Sequence, residues 1–261
     1  MTAIGVFDSG VGGLSVLKHV RAALPRHDLL YVADSGHVPY GDKTPEYIRA
    51  RSFALTQFLA GQGAAAVVIA CNTATAAAAA VLRERFVLPI VAMEPAVKPA
   101  VAATRSGVVG VLATVGTLES ARFAALLEQY AGAVEIVTQA CPGLVEQVEA
   151  GELDSAKTRA LVARYTRPLI ARGADTLVLG CTHYPFLAPL IAEVAGPEVK
   201  LIDTGEAVAK QVVRRLAGTP APAGDTAPRA RFWTTGDVQA AARIVTRLWG
   251  TRVSVEPLPA A

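Results

Sequence analysis

Residues 64–82 read AAAVVIACNTATAAAAAVL, and this stretch decides the fold class. A valine-rich piece runs up to Cys71 and an alanine-rich piece follows it, a pattern typical of a buried strand that leads into a packed helix. Asn72, Thr73 and Thr75 interrupt the apolar residues, so the stretch does not qualify as a membrane span. We therefore predict a strand–helix unit here.

The same alternation continues along the chain. Runs rich in β-branched residues predict strands at 3–7, 29–32, 66–70, 90–92, 108–112, 134–138, 176–179 and 199–202. Amphipathic stretches between them predict helices at 12–24, 45–61, 117–130, 155–172 and 205–217. Thr44 followed by Pro45 is a typical helix start. Because strands that alternate with helices form parallel sheets with helices on both faces, we predict an α/β fold.

The length and composition favour two domains. A chain of 261 residues is long enough for two compact α/β units. Apolar residues make up 52% of it, charged residues 18%, and the mean hydropathy is +0.38, which excludes an intrinsically disordered protein. A Pro/Ala/Gly-rich loop at 218–228 precedes a last predicted strand–helix–strand, at 231–234, 236–249 and 253–255. We expect this last unit to return to the first domain.

The charges and cysteines exclude several classes of protein. The 25 basic and 22 acidic residues give a net charge of +3, and the longest basic cluster is the pair Arg214–Arg215, so we expect no nucleic-acid partner. The N-terminus, MTAIGVFDSG, lacks the basic and apolar segments of a secretory signal, which favours the cytoplasm. Three cysteines, an odd number in a chain with a large core, do not indicate a disulfide framework.

Two short motifs recur at similar spacings. Residues 68–73, VIACNT, resemble residues 178–183, VLGCTH, 110 positions later, and residues 5–10, GVFDSG, resemble residues 110–115, GVLATV, 105 positions later. A duplicated α/β unit explains both spacings, and a chance match between short apolar strands is the alternative. In a duplicated unit each half would have one cysteine at the carboxyl end of a buried strand, where parallel sheets bind ligands.

Cys71 and Cys181 are therefore the candidate reactive groups. We predict that Asn72 or Thr73 caps the helix after Cys71, whose free N–H groups favour a nearby thiolate or substrate carboxylate. His183 lies two residues after Cys181, where an imidazole can lower the pKa of the thiol or exchange protons with it. A buried cysteine is more often a packing residue than a reactive one, but two in equivalent positions favour chemistry.

Two carboxylates and a glycine-rich segment complete the candidates. Asp8 ends the first predicted strand in DSGVGG, where glycines let the backbone approach a ligand, and capping of the next helix is its alternative role. The segment lacks the third glycine of the dinucleotide fingerprint, so we expect no nucleotide. Glu149 ends a predicted helical stretch, where a solvated carboxylate is the alternative, and Cys141 is assigned to packing. Without CxxC or HxxxH spacings we expect no metal.

Two thiols beside a carboxylate and an imidazole suit a reaction that inverts a carbon centre. One base removes a proton from one face, and the conjugate acid of a second base returns a proton to the other face. A single base tends to return the proton to the face from which it came. The pair must share one proton, and because a free cysteine titrates near roughly 8.5, modest tuning is enough at neutral pH.

Five motifs, in order, resemble those of the bacterial glutamate racemases. They are 8–13 (DSGVGG), 39–41 (PYG), 70–74 (ACNTA), 94–95 (EP) and 180–185 (GCTHYP). The resemblance implies a cofactor-independent enzyme that interconverts L- and D-glutamate and supplies D-glutamate for peptidoglycan. It also implies two pseudo-symmetric α/β domains, residues 1–96 plus 208–261 and residues 97–207, that face a buried cleft, and a homodimer.

The resemblance also implies roles for single residues. Cys71 would be the base toward D-glutamate and Cys181 the base toward L-glutamate. Asp8 would assist on the Cys71 side, His183 on the Cys181 side, and Glu149 would be a further acidic residue at the site. Backbone N–H and hydroxyl groups would hold the substrate carboxylates at Asp8, Ser9, Tyr40, Gly41, Asn72, Thr73, Thr182 and His183.

Three alternatives to this interpretation differ in their chemistry. In an aspartate racemase of the same superfamily the second motif typically reads Cys-Thr-Glu, whereas this chain has His183 at the third position. A non-catalytic binding protein on the same frame would use its buried thiols for packing only. A pyridoxal-phosphate enzyme needs a Schiff-base lysine and a phosphate site, but the six lysines lie mostly on amphipathic stretches or at their edges, so we expect no cofactor.

Overall fold

The structure, a computed structural model, describes residues 3–130, 132–218 and 227–259. Among these residues, the strands of the first sheet are β1 Ala3–Asp8, β2 Asp28–Ala33, β3 Ala64–Ile69, β4 Ile90–Ala92, β9 Ala230–Thr234 and β10 Val255–Pro257. The strands of the second sheet are β5 Val108–Ala113, β6 Glu135–Ala140, β7 Thr176–Leu179 and β8 Lys200–Ile202. Every predicted strand is confirmed to within two residues at each end.

The helices connect these strands. They are α1 Leu14–Ala23, α2 Pro45–Gly61, α3 Asn72–Arg85, α4 Val97–Ala103, α5 Val115–Leu118, α6 Ala121–Glu128, α7 Leu144–Glu149, α8 Ala156–Ala171, α9 Ala188–Ala195, α10 Gly205–Arg215 and α11 Val238–Trp249. Short 3-10 turns lie at Tyr40–Asp42 and Tyr184–Leu187. Within the described ranges, no helix combines the length and the apolar character that crossing a membrane requires.

Both sheets are parallel throughout and share one strand order. The first sheet runs β10-β9-β2-β1-β3-β4 and the second runs β6-β5-β7-β8. The order β2-β1-β3-β4 therefore has the same connectivity as β6-β5-β7-β8, with each strand replaced by the one four places later. This confirms the predicted pair of pseudo-symmetric α/β units. Strands β9 and β10 extend the first sheet beside β2, as predicted for the last unit.

Helix α10 packs along α1, so the chain has returned to the first sheet before β9 begins. One apolar cluster is continuous across both halves, with members such as Leu14, Val145 and Tyr184. The domain boundary at 207/208 falls inside α10, and the division of the chain at 96/97 and 207/208 stays a prediction. Most of the loop predicted at 218–228 lies outside the described residues.

Local capping explains where two helices begin. Thr44 caps α2 as predicted, because its side chain accepts a hydrogen bond from the N–H of Tyr47. The single helix predicted at 117–130 is wrong, since this region forms α5 and α6. Ser120 separates them: its hydroxyl accepts the N–H of Phe123 at 3.1 Å and so starts a new helix.

Candidate active site

The two candidate thiols lie at equivalent places in the two halves. Cys71 follows β3 and Cys181 follows β7, which are corresponding strands of the two sheets. Both are almost completely buried, with 6% and 8% of their surface exposed. They line the same narrow cavity, whose walls come from both halves of the molecule. One cavity therefore brings together the thiols of the two halves.

The cavity collects most of the residues named from the sequence. Its lining is Ser9, Pro39, Tyr40, Gly41, Cys71, Asn72, Thr73, Thr114, Thr117, Val145, Gly180, Cys181, Thr182 and His183. Asp8 and Glu149 are not part of this lining; each contacts a lining residue from outside it.

Cys71 itself caps α3, and the prediction that Asn72 or Thr73 would do so is wrong. The Sγ atom accepts a hydrogen bond from the N–H of Ala74 at 3.4 Å, in the place where a hydroxyl or carboxylate oxygen usually caps. Its other polar neighbour is the Ser9 hydroxyl, at 3.9 Å. Burial, and next the Asp8 carboxylate, raise the pKa of the Cys71 thiol well above its ordinary value, while the Ala74 hydrogen bond opposes this shift.

Asp8 is fully buried at the end of β1. Its carboxyl group accepts hydrogen bonds from the N–H of Ser9 at 2.8 Å and of Gly13 at 2.7 Å, and from the Thr182 hydroxyl at 3.3 Å. Thr182 belongs to the other half, so this carboxyl group joins the two halves. Burial raises the pKa of Asp8 above its ordinary value, although the nearby His183 lowers it.

On the other side of the cavity an imidazole stands beside the thiol. The Nδ1 atom of His183 lies 3.6 Å from the Sγ atom of Cys181, and its Nε2 atom lies 2.6 Å from Oε1 of Glu149. Burial alone would lower the pKa of His183, but its hydrogen bonds to Cys181 and Glu149 raise it well above the ordinary value. A protonated imidazole therefore has a thiol sulfur on one side and a carboxylate on the other.

Glu149 contacts both halves of the molecule. Its Oε1 atom also accepts the N–H of Val11 at 2.6 Å, and its Oε2 atom accepts the Ser35 hydroxyl at 3.2 Å. Gly12, next to Val11, leaves room for the imidazole, because a Cβ atom there would lie 2.3 Å from Nδ1 of His183. The glycine-rich segment of the first half is thus shaped around a side chain of the second.

Asn72 has a buried acceptor without a protein partner. Its Nδ2 atom donates to the carbonyl of Gly180 at 2.9 Å, which fixes the orientation of the amide. The Oδ1 atom is buried, and the described residues supply no donor for it. Because buried acceptors are nearly always satisfied in proteins, this oxygen is available to a donor on a ligand.

Two cavity residues, Thr114 and Thr117, were missed in the sequence. The Thr73 hydroxyl lies 3.0 Å from that of Thr114 and 3.2 Å from that of Thr117, and the last two are 3.0 Å apart. The three hydroxyls join the start of α3 to the start of α5. The internal repeat contained the signal, since Thr114 occupies in GVLATV the place that Ser9 occupies in GVFDSG.

Comparisons with known proteins agree with this geometry. The family model for Asp/Glu/Hydantoin racemases matches residues 4–212. The glutamate racemase of Ectopseudomonas mendocina is 59% identical over 253 residues, which cover 97% of this chain and 96% of that protein. The crystal structure of a glutamate racemase isoform from Bacillus anthracis is 34% identical, has a TM-score of 0.88 and covers 99% of this chain and 97% of its own.

A second solved structure carries ligands. Escherichia coli glutamate racemase in complex with L-glutamate and the activator UDP-MurNAc-ala is 32% identical, with a TM-score of 0.88 and coverage of 98% of both chains. The relatives match over nearly their full length, and the strand order and the paired thiols fit the expectation from the sequence motifs. This chain belongs to the glutamate racemases, within the Asp/Glu racemase family.

Proposed function

We propose that this chain interconverts L- and D-glutamate through two cysteine bases, without a cofactor, and supplies D-glutamate for peptidoglycan. The observation that carries the proposal is that Cys71 and Cys181 end corresponding strands of two similar sheets and line one buried cavity. A stereocentre bound between them would present its two faces to two sulfur atoms.

The proposed reaction removes one proton from the α-carbon and adds another to its opposite face. With L-glutamate, the Cys181 thiolate takes the α-proton, and the C–H electron pair stays on the substrate as a carbanion stabilised by the adjacent carboxyl group. The Cys71 thiol then gives its proton to the opposite face, which forms D-glutamate and a Cys71 thiolate. The reverse direction begins at Cys71. Exchange of protons with water restores the starting state of the pair.

A different titratable group assists each thiol. Asp8 would assist Cys71, since a buried carboxyl group with a raised pKa can hold or release a proton nearer to neutral pH. His183 would assist Cys181, because its Nδ1 atom lies 3.6 Å from the sulfur and an imidazole can exchange protons with a neighbouring thiol. Glu149 would keep the imidazole oriented through its 2.6 Å contact with Nε2.

The polar lining supports an acidic amino acid as substrate. Glutamate needs donors for two carboxylates and an acceptor for its ammonium group. Among the lining residues, Ser9, Thr73, Thr114 and Thr117 bring hydroxyl groups that can donate to a carboxylate, whereas the hydroxyls of Tyr40 and Thr182 already donate to Asp34 and Asp8. The unpartnered Oδ1 atom of Asn72 is suited to accept from the ammonium group.

The decisive test is incorporation of solvent deuterium at the α-carbon. Incubated in deuterium oxide without added cofactor, the protein should label either enantiomer of glutamate, and the optical rotation should fall to zero. Aspartate offered at the same concentration distinguishes the nearest alternative, because an aspartate racemase would prefer it. Unlabelled substrate and constant rotation with both amino acids would contradict the proposal, and a repeat with added pyridoxal phosphate would separate a cofactor-dependent enzyme from a non-catalytic binding protein.

Two further properties follow from the resemblance and belong to the same proposal. We expect the protein to act in the cytoplasm, where the precursors of peptidoglycan are made, and to form a homodimer. Sedimentation equilibrium gives the mass of the particle in solution, and a mass of one 27.1 kDa chain would contradict the dimer.

A further inference from the structure

The wall of the cavity at Tyr40 and Gly41 is anchored by a buried carboxylate that the proposed reaction does not use. Asp34 directly follows β2, and its side chain is completely buried. Its backbone N–H donates to the carbonyl of Asp8 at 3.0 Å, so it lies beside the end of β1. A buried carboxylate this close to a substrate site needs a reason, because an unpaired one is costly.

The carboxylate of Asp34 is fully satisfied by side chains. Its Oδ1 atom accepts from Nη2 of Arg51 at 2.7 Å and from the Thr235 hydroxyl at 2.9 Å. Its Oδ2 atom accepts from Nε of Arg51 at 3.0 Å and from the Tyr40 hydroxyl at 2.5 Å. Two donors on each oxygen use about all the lone pairs of a carboxylate, which fixes its orientation.

These donors come from three separate parts of the chain. Tyr40 lies in the 3-10 turn at the cavity, Arg51 on α2, and Thr235 directly after β9. The hydroxyl of Thr235 also accepts the N–H of Gly36 at 3.0 Å, which holds the segment between Asp34 and the cavity against the returning end of the chain. The anchor thus ties the cavity wall to a helix and to the last unit of the fold.

The chemistry of each donor suits a fixed geometry. The guanidinium group of Arg51 binds both carboxylate oxygens as a planar fork, which sets direction as well as distance, whereas a lysine would act as a point charge. Burial, and next the Asp34 carboxylate, raise the pKa of Tyr40, so its hydroxyl remains a donor at every physiological pH. The Tyr40 ring is 1% exposed and is therefore held at both ends, by packing and by this hydrogen bond.

We propose that Asp34 and Arg51 are positioning residues for substrate binding, whose buried ion pair holds the wall formed by residues 39–41 in place through the Tyr40 hydroxyl. The proposal rests on the proposed function, because the ligand it concerns is glutamate. If the wall loses its anchor, substrate and transition state lose the same contacts, so KM should rise while kcat changes little.

The first experiment separates KM from kcat in Asp34→Asn and Arg51→Ala. We expect KM for both enantiomers of glutamate to rise about tenfold or more, with kcat within about threefold of the parent. Tyr40→Phe removes one hydroxyl only and should show a smaller rise in KM, so it serves as the test if either ion-pair variant does not fold. Guanidinium or ethylguanidinium added to Arg51→Ala should restore the parent KM, because it replaces the missing donor.

Asp175→Asn is the matched control. That carboxylate also accepts several short hydrogen bonds, from the Thr104 hydroxyl at 2.6 Å and from the N–H groups of Arg105 and Ser106 at 2.7 and 2.8 Å. It precedes β7, at the edge of the second sheet opposite to the cavity. We expect this variant to melt at a lower temperature with KM unchanged. An equal loss of stability in Asp34→Asn with KM also unchanged would overturn the positioning role.

Hydrogen exchange in the protein without glutamate makes the two proposals separable. Exchange of the amides at 40–42 should be faster in Arg51→Ala than in the parent, and unchanged in Asp175→Asn. A parent that does not racemize glutamate but shows this pattern would refute the proposed function alone. A parent that racemizes glutamate, with exchange at 40–42 and KM both unaffected by Arg51→Ala, would refute the anchor alone.

Discussion

The two thiols occupy the same position in two similar sheets, yet their surroundings differ. Cys71 begins α3, and the helix N–H of Ala74 points at its sulfur. Cys181 is followed by the 3-10 turn Tyr184–Leu187, and α9 begins only at Ala188, so no α-helix starts at this sulfur. The imidazole of His183 lies beside the sulfur instead. The comparison teaches that the two halves give their sulfur atoms different polar neighbours, a helix N–H in one and an imidazole in the other.

The carboxylates differ between the halves in the same way. Asp8 lies on the Cys71 side, with a raised pKa that keeps it closer to its neutral form, while Glu149 on the other side contacts the imidazole. The fold is therefore pseudo-symmetric and its electrostatics are not. A racemase tolerates this difference because it needs two competent bases and not two identical ones.

The largest effect should come from removing either sulfur. Cys71→Ala and Cys181→Ala should each lower the rate of racemization by about a thousandfold or more, because inversion needs a base on each face. Each variant should still exchange the α-hydrogen of the one enantiomer that its remaining thiol faces, with retention of configuration. Polarimetry and proton NMR in deuterium oxide measure the two outcomes.

Cys141→Ala is the control for that experiment. Cys141 is a buried thiol that does not line the cavity of the other two, and its sulfur contacts the carbonyl of Gln139 at 3.3 Å. Its rate of racemization should stay within about twofold of the parent. If Cys141→Ala lost as much racemization activity as the other two cysteine variants, the losses would reflect damage to the fold and not the removal of a catalytic base.

A smaller effect, on the order of a hundredfold, is expected when the neighbour of one thiol is removed. L- and D-glutamate have equal free energies in solution, so His183→Asn must lower kcat/KM by the same factor in both directions. The difference between the halves should instead appear in the primary isotope effect. With α-deuterated L-glutamate it should rise in His183→Asn, because proton removal by Cys181 becomes slower and more rate-limiting, and with the D-enantiomer it should fall.

Asp8→Asn should show the opposite pattern. Its isotope effect should rise with D-glutamate, whose proton Cys71 removes, and fall with L-glutamate. Equal changes with both enantiomers in both variants would contradict the assignment of one neighbour to each thiol.

The raised pKa of His183 also predicts how stability depends on pH. In the folded protein the imidazole holds its proton to a higher pH than in the unfolded chain, where it titrates near roughly 6.5. Its contribution to the free energy of unfolding is therefore complete below that pH and is lost as the pH rises toward the folded pKa. The melting temperature should fall across this window in the parent and fall less steeply in His183→Asn.

His27→Asn provides the contrasting control for the pH experiment. Burial lowers the pKa of this partly exposed histidine, so its proton does not add stability as the pH falls. In His27→Asn the melting temperature should fall with rising pH as steeply as it does in the parent, whereas in His183→Asn this fall should be weaker. If the melting temperature of the parent did not change with pH above about 6.5, the idea of a cationic imidazole at His183 would be contradicted.

The smallest expected effect concerns the three hydroxyls between α3 and α5. Thr117→Val keeps the shape of a buried side chain and removes one hydroxyl from the cavity, so KM for glutamate should rise about three- to tenfold, the equivalent of one lost hydrogen bond. Thr166→Val is the control, because the Thr166 hydroxyl is buried, has no hydrogen-bond partner within the part of the chain that the structure describes, and does not line the cavity. Isothermal titration with D-glutamate would detect a difference between the two variants.

Much of the fold could be predicted because its signals are periodic and local. Strand–helix alternation gave each strand, and the repeat of VIACNT as VLGCTH predicted equivalent places for the two thiols. The break between α5 and α6 was missed because it depends on one capping hydroxyl, Ser120, inside an otherwise continuous helical pattern. The start of α3 was predicted, but a sulfur atom was not expected as its cap.

The parts of the site that escaped prediction depend on contacts between distant residues. Asp34 gives no local signal, because its donors come from Tyr40, Arg51 and Thr235, and the last of these is 201 positions away. Glu149 was predicted only through the family resemblance, since its contact with His183 exists only when the two halves meet. Sequence motifs identify the reacting atoms more readily than the residues that hold their surroundings in place.

The division of the thiols between two halves has a consequence for timing. Each sulfur is fixed to its own sheet, so any rotation that widens the cleft to admit or release an amino acid also separates the reacting pair. We therefore expect substrate to enter through a wider cleft than the one in which the two sulfur atoms act together. Because both thiols are almost completely buried in this arrangement, we expect the carbanion to form where little bulk water can reach it.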